Sequence, residues 1–183
     1  MSDLEKVLQS LKANDPAASI IGGASDLKNP AIGEDVNSLT NFQKSNKGLA
    51  SDTEPEIVEE FGIQSLRWYC AANQVHNLYV NGRPFTARGI SYSTSIHWRA
   101  GGGWPIYRTG CPRSVIAGSQ FLVPRAYEHC VLVAVGGIIA MACRSPARSS
   151  GSTPTNVQVA VNDGRSRYGD NSGGFWLYIH HWW

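Results

Sequence analysis

Residues 65–92 read SLRWYCAANQVHNLYVNGRPFTARGISY, and this stretch decides the fold. Short runs of aromatic and β-branched residues alternate with polar ones, the period of a strand with one buried face. Asn81-Gly82 between two such runs is the strongest short-range signal for a two-residue hairpin, because a type I′ turn needs positive φ at both central positions. The pattern predicts strands over 65–71 and 76–80, the hairpin turn at Asn81-Gly82, and a return strand over 84–92.

The same texture continues to the carboxy terminus. Further strands are predicted over 94–99, 114–117, 120–123, 127–135 and 138–143, followed by a loop over 144–155. In Val157, Val159 and Val161 the apolar residues alternate with Gln158 and Ala160, and a last strand over 175–179 carries aromatics on both faces. Many short strands between turn signals predict an all-β sandwich, of jelly-roll or galactose-binding type, over residues 61–183.

Residues 1–60 differ in kind. They hold eleven acidic residues against five lysines and one aromatic, Phe42, whereas residues 61–183 hold eleven arginines, three acids and seventeen aromatics within a chain of 183 residues whose net charge is +2. Ser2-Asp3-Leu4-Glu5 matches a capping box, and Leu4, Val7, Leu8 and Leu11 share one helical face up to the stop at Asn14-Asp15-Pro16. Beyond Pro16 the composition cannot bury enough surface to offset its ordering entropy, which predicts a short helix followed by a flexible arm.

No signal peptide is encoded in the charged amino terminus, which leaves a cytoplasmic or non-classically exported protein as the expectation. The longest apolar run, residues 131–142, falls short of a membrane span. Cys70, Cys111, Cys130 and Cys143 show no CxxC spacing and are expected as buried or free thiols. No P-loop, GxSxG, HExxH or dinucleotide fingerprint occurs, which argues against an enzyme. The dispersed arginines form no compact basic cluster, which argues against nucleic acid as the partner.

The loop Asn162-Asp163-Gly164-Arg165-Ser166-Arg167-Tyr168-Gly169-Asp170-Asn171-Ser172-Gly173-Gly174 concentrates two of the three carboxylates of the basic half among glycines and oxygen-bearing side chains. Hard cations take six to eight oxygens from carboxylates, amides and main-chain carbonyls, so Asp163, Asp170 and Asn171 are natural donors. The competing reading is a solvated hairpin turn with Arg165 and Arg167 neutralising the carboxylates.

Asn162-Asp163 and, after four residues, Tyr168-Gly169-Asp170-Asn171-Ser172-Gly173-Gly174-Phe175 resemble the carboxy-terminal motif of the PA-IL type galactose-binding bacterial lectins, which are small calcium-dependent β-sandwiches. Gly103-Trp104-Pro105-Ile106-Tyr107 resembles that family's Gly-Trp-x-x-Tyr segment. The resemblance implies one calcium ion held by the side chains of Asp163, Asp170 and Asn171 and by the main-chain carbonyls of Arg167 and Tyr107. Asp170 stands where the family usually has Asn. It further implies that two vicinal hydroxyls of a galactose-like sugar complete the calcium shell. Gln120, His129 and Trp104 are candidate sugar contacts, and Trp176, Trp182 and Trp183 are further candidate walls. A homo-oligomer is expected from the exposed terminal aromatics. The alternative is a structural or assembly β-sandwich, such as a virion or phage component, with the first 60 residues as a connecting arm.

Overall fold

A computed structural model describes residues 1–13, 49–60, 62–87, 89–99, 115–135, 138–141, 147–148 and 155–182. Helix α1 (Asp3–Ala13) is followed by β1 (Ala50–Thr53), β2 (Glu56–Glu60), β3 (Ile63–Ala71), β4 (Val75–Val80), β5 (Arg83–Pro84), β6 (Thr86–Ala87) and β7 (Gly89–Arg99). Then come β8 (Val131–Val135), β9 (Ile138–Met141), β10 (Ala147–Arg148), β11 (Thr155–Asn156), β12 (Gln158–Val161) and β13 (Ser172–Trp182). One sheet has the order β1-β4-β12-β8-β9, with β5 folded back on β4; the other has the order β10-β7-β13-β3-β2, and β6 pairs with β11. The protein is an all-β sandwich with one short amino-terminal helix.

Alternation builds the core. Leu66, Trp68 and Cys70 on β3 and Phe175 and Leu177 on β13 are fully buried, and they are register partners: Phe175 opposes Cys70 and Leu177 opposes Trp68. From the other sheet Val75, Leu78, Val131, Val133, Val159 and Val161 join them. Trp68 joins the sheets, since its ring packs 5.2 Å from that of Phe85 and its indole N–H donates to the Tyr79 carbonyl at 3.1 Å. Cys70 and Cys130 are buried free thiols, pushed up by burial; Cys111 and Cys143 lie outside the described residues.

On the opposite face of β3 and β13, Arg67 stacks over the Trp176 ring at 4.1 Å, pairs with Glu56, and donates to the Tyr178 hydroxyl, while Tyr69 meets Trp176 edge-on at 5.2 Å. The glycine at 174 admits this arrangement: a Cβ there would stand 2.5 Å from the Tyr69 hydroxyl oxygen.

The hairpin forms as its sequence requires. Asn81 (φ 52°) and Gly82 (φ 74°) are both left-handed, and Val80 pairs with Arg83. The expected single return strand over 84–92 is instead divided among β5, β6 and β7. Pro84 offers no N–H to a ladder, and Phe85 turns inward, its N–H donating to Leu78 and its carbonyl accepting from Val157.

Two other expectations need correction. The segments 114–117 and 120–123 are not strands among the described residues; 115–130 is an irregular loop carrying two isolated bridges, Ile116 to Tyr127 and Phe121 to Gly164. Left-handed Arg125 (φ 72°) and His129 (φ 58°) interrupt extended pairing, so the strand expected from 127 begins at Val131. The arm expected through residue 60 also ends earlier, because β1 and β2 belong to the sheets; residues 14–48 lie outside the described residues. β10 lies inside the loop predicted over 144–155, of which only residues 147–148 and 155 are described.

Helix α1 carries the predicted capping box: the Ser2 hydroxyl accepts the Glu5 N–H at 3.1 Å and the Glu5 carboxylate accepts the Ser2 N–H at 2.9 Å. Val7 is buried in the core, with Leu4 and Leu8 packed partly against it. β1 lies parallel to β4 and is fixed by side chains. The Thr53 hydroxyl donates to His76 Nδ1 at 2.8 Å, and His76 Nε2–H donates to the Ala71 carbonyl at 2.9 Å. The Glu54 carboxylate accepts the Asn81 and Gly82 amides at 2.9 and 2.6 Å.

Burial holds His76 below the ordinary imidazole value, with the Ala71 carbonyl partly opposing. The fold therefore favours the neutral ring, and its contribution is complete above the unfolded value of about 6.5 and lost as pH falls below it. Urea unfolding between pH 5 and 8 is expected to show stability declining on the acid side, with a flatter decline in His76→Gln. Thr53→Val, which strands Nδ1, is expected to cost about 1 kcal/mol at pH 7.5.

Candidate cation site

The connection between β12 and β13 begins with a buried asparagine. The Asn162 side-chain oxygen accepts the Val123 N–H at 2.9 Å, and its amide donates to the carbonyls of Val123 (3.1 Å) and Tyr127 (3.0 Å). Its main chain is engaged on both sides: the N–H donates to Cys130 and the carbonyl accepts from His129, each at 2.7 Å. One residue thus clamps the irregular 115–130 loop to the end of β12. Fully buried, Asn162 has every side-chain group satisfied.

The clamp sets the next residue. Asp163 is 3% exposed, its carbonyl accepts the Leu122 N–H at 2.9 Å, and its Oδ1 accepts the Gly164 N–H at 2.7 Å. Its Oδ2 is buried and has no hydrogen-bond partner. Asn171, also buried, closes the loop: its side-chain N–H donates to the Ala72 carbonyl at 3.0 Å, and its Oδ1 likewise has no partner. The Asn171 amide group faces the Asp163 carboxyl.

The loop between these two residues is held from within. Tyr168 is buried, its hydroxyl donates to the Val161 carbonyl, and the 3-10 turn Tyr168–Asp170 leads into Asn171, whose N–H donates to Tyr168. Burial, with the neighbouring Asp163 carboxyl, drives the Tyr168 phenol upward. Burial also raises the Asp163 carboxyl above its ordinary value; the Gly164 amide, the Asn171 amide and His129 pull it back, and Asp170 adds to the rise.

Two inward-facing oxygens without donors are costly, roughly 1–3 kcal/mol for each buried group left unsatisfied. Two chemistries relieve this pair: a proton on Asp163 donated toward Asn171, or a cation accepted by both oxygens. Carboxylate and amide oxygens are the donor types that hard cations such as calcium take, so these two side chains fit such an ion.

The other predicted residues are placed unevenly. Asp170 is exposed next to Asn171, and Arg167 is exposed with its N–H donating to the Gly164 carbonyl. The expected neutralisation by arginine is not seen among the described residues, where neither Arg165 nor Arg167 forms an ion pair with Asp163 or Asp170. His129 Nδ1 stands 3.9 Å from Asp163 Oδ1, and its ring meets Phe121 edge-on at 5.7 Å. Gln120 is exposed and reaches the site loop through its backbone, the carbonyl accepting the Arg165 N–H at 3.1 Å, while its side chain folds over Gly118. Tyr107, Trp104 and Trp183 lie outside the described residues, as does the side chain of Trp182. Trp176 lies on the outer face of its sheet, covered by Arg67.

Sequence reasoning did not assign roles to Asn162, Tyr168 or Phe121. The signal was present for Asn162, adjacent to Asp163 in the quoted motif, yet nothing local marks an asparagine as a three-bond clamp. Among the described residues no group of three or more His, Cys, Asp or Glu side chains assembles, so donors beyond Asp163 have to include amide and main-chain oxygens. No protein-family model, curated protein or solved structure matches the chain.

Asn162→Ala removes three buried hydrogen bonds and strands their partners, and is expected to destabilise the fold by about 3 kcal/mol or more in urea titrations. Asn156→Ala, an exposed change on β11, is expected to stay within roughly 0.5 kcal/mol.

Proposed function

We propose that the chain is a calcium-dependent carbohydrate-binding module with preference for galactose-like sugars. The observation that carries this reading is the pair of buried, unpartnered oxygens, Asp163 Oδ2 and Asn171 Oδ1, on one clamped loop. A divalent ion satisfies both at once and favours the ionised Asp163 that burial alone opposes. The resemblance of residues 162–175 and 103–107 to the PA-IL type lectins supports calcium as that ion. It also implies further donors from Asp170 and from the carbonyls of Arg167 and Tyr107. When bound, the ion supplies open positions for two vicinal sugar hydroxyls. The protein's own contribution is to hold Asp163 and Asn171 in place through Asn162, Gly164 and Ala72, which reduces the ordering cost of binding. His129 and Phe121 form the neighbouring wall.

The test is a thermal melt with calcium against chelator, for the native chain and for Asp163→Asn. A ligand specific to the folded state at one hundred times its dissociation constant adds about 2.7 kcal/mol, roughly 5–10 °C for a chain of this size. The native protein is expected to show that rise, and galactose-presenting surfaces to retain it only with calcium. Asp163→Asn places an amide donor beside the Asn171 oxygen, so it is expected to melt above the native chain in chelator and to ignore calcium. Equal native midpoints with and without calcium would contradict the reading and favour a protonated Asp163.

A further inference from the structure

Helix α1 and strand β1 both come from the acidic amino-terminal segment, but they are held to the sandwich in different ways. β1 has four consecutive register pairs with β4. Side-chain bonds add to these, from Thr53 to His76 and from Asn77 to Asp52 at 3.1 Å, while Glu54 caps the hairpin amides just beyond. α1 rests on Val7, with Leu4 and Leu8 partly buried, and on one side-chain bond, from the Asn81 amide to the Ser2 hydroxyl at the tip of the same hairpin. An eleven-residue helix is too short to persist alone in water, so α1 is helical where it is seated.

The seat and the helix are separated in sequence by residues 14–48, thirty-five residues. A connection of that length can span at most about 120 Å, against a radius of gyration of about 16 Å for a compact body of this chain length. Nothing in the connection's length obliges α1 to occupy the seat of its own chain. An identical seat on a second copy offers the same apolar contacts and the same Ser2 to Asn81 bond, so exchange sacrifices no interaction.

We propose that α1 is an exchangeable plug, and that the partner for its seat beside the Asn81-Gly82 hairpin is the helix of a second copy of this chain. Seating within one chain is favoured by an effective concentration in the millimolar range for a flexible connection. Exchange therefore grows as the chains are concentrated, and β1, fixed to β4, stays with its own body.

The experiment uses two full-length variants, Ser2→Cys and Asn81→Cys, each a partly or fully exposed site whose side chains meet across the seat. Mixed and oxidised, the two are expected to give a reducible heterodimer that increases with total concentration and exceeds the self-linked dimer of either variant alone. Adding Val7→Asp to the Ser2→Cys copy, which unseats the helix, is expected to abolish it. The double variant Ser2→Cys with Asn81→Cys shows that the seat is formed by closing within the chain at low concentration. Closure of the double variant within the chain at every concentration, together with no heterodimer above the self-linked background from the mixed variants, would overturn the proposal.

Discussion

The Asn162 side chain is the interaction on which the rest of the functional end depends. β12 is a short strand in the middle of its sheet, and the chain leaving it has to meet a loop, 115–130, that has no ladder of its own. Asn162 supplies what the missing ladder would: its three side-chain bonds and two main-chain bonds tie Val123, Tyr127, His129 and Cys130 into one unit. Because that unit is rigid, Asp163 is committed to the interior. Tyr168 and Asn171 then close the loop over it, the one bonded to Val161 and the other to Ala72.

Against this background the satisfaction of buried polar groups is informative. Asn162, the Trp68 indole and both nitrogens of His76 have partners, as buried groups in native proteins do. Asp163 Oδ2 and Asn171 Oδ1 break the pattern, and they break it on one loop, facing one another's side chains. A fold that satisfies an asparagine at three points and leaves its sequence neighbour unsatisfied has placed an acceptor where something electropositive belongs.

Much of the architecture was legible in the sequence, and the successes share a cause. The Asn81-Gly82 hairpin, β3, β12, the core of β13 and the capping box of α1 are all specified by short-range chemistry: positive φ, strict alternation, or a reciprocal side-chain to backbone bond. The failures share one too. β2, reading EIVEE, is acidic because it is an edge strand, where charge protects against unwanted pairing, and composition alone made it look like arm. Residues 114–123 have strand-forming composition, yet their backbone partners lie in the 162–165 loop, which no local pattern reveals. In the site, the oxygen-rich loop identified Asp163 and Asn171, whereas the burial that separates them from exposed Asp170 follows from tertiary packing.

The most direct test of the account is a terbium titration of the chelator-treated chain, read by luminescence sensitised from the aromatic ring of Tyr168 beside Asp163. The account predicts saturable emission with one ion per chain, displaced by calcium and absent from Asp163→Asn. Emission that never saturates, or that survives unchanged in Asp163→Asn, would contradict it.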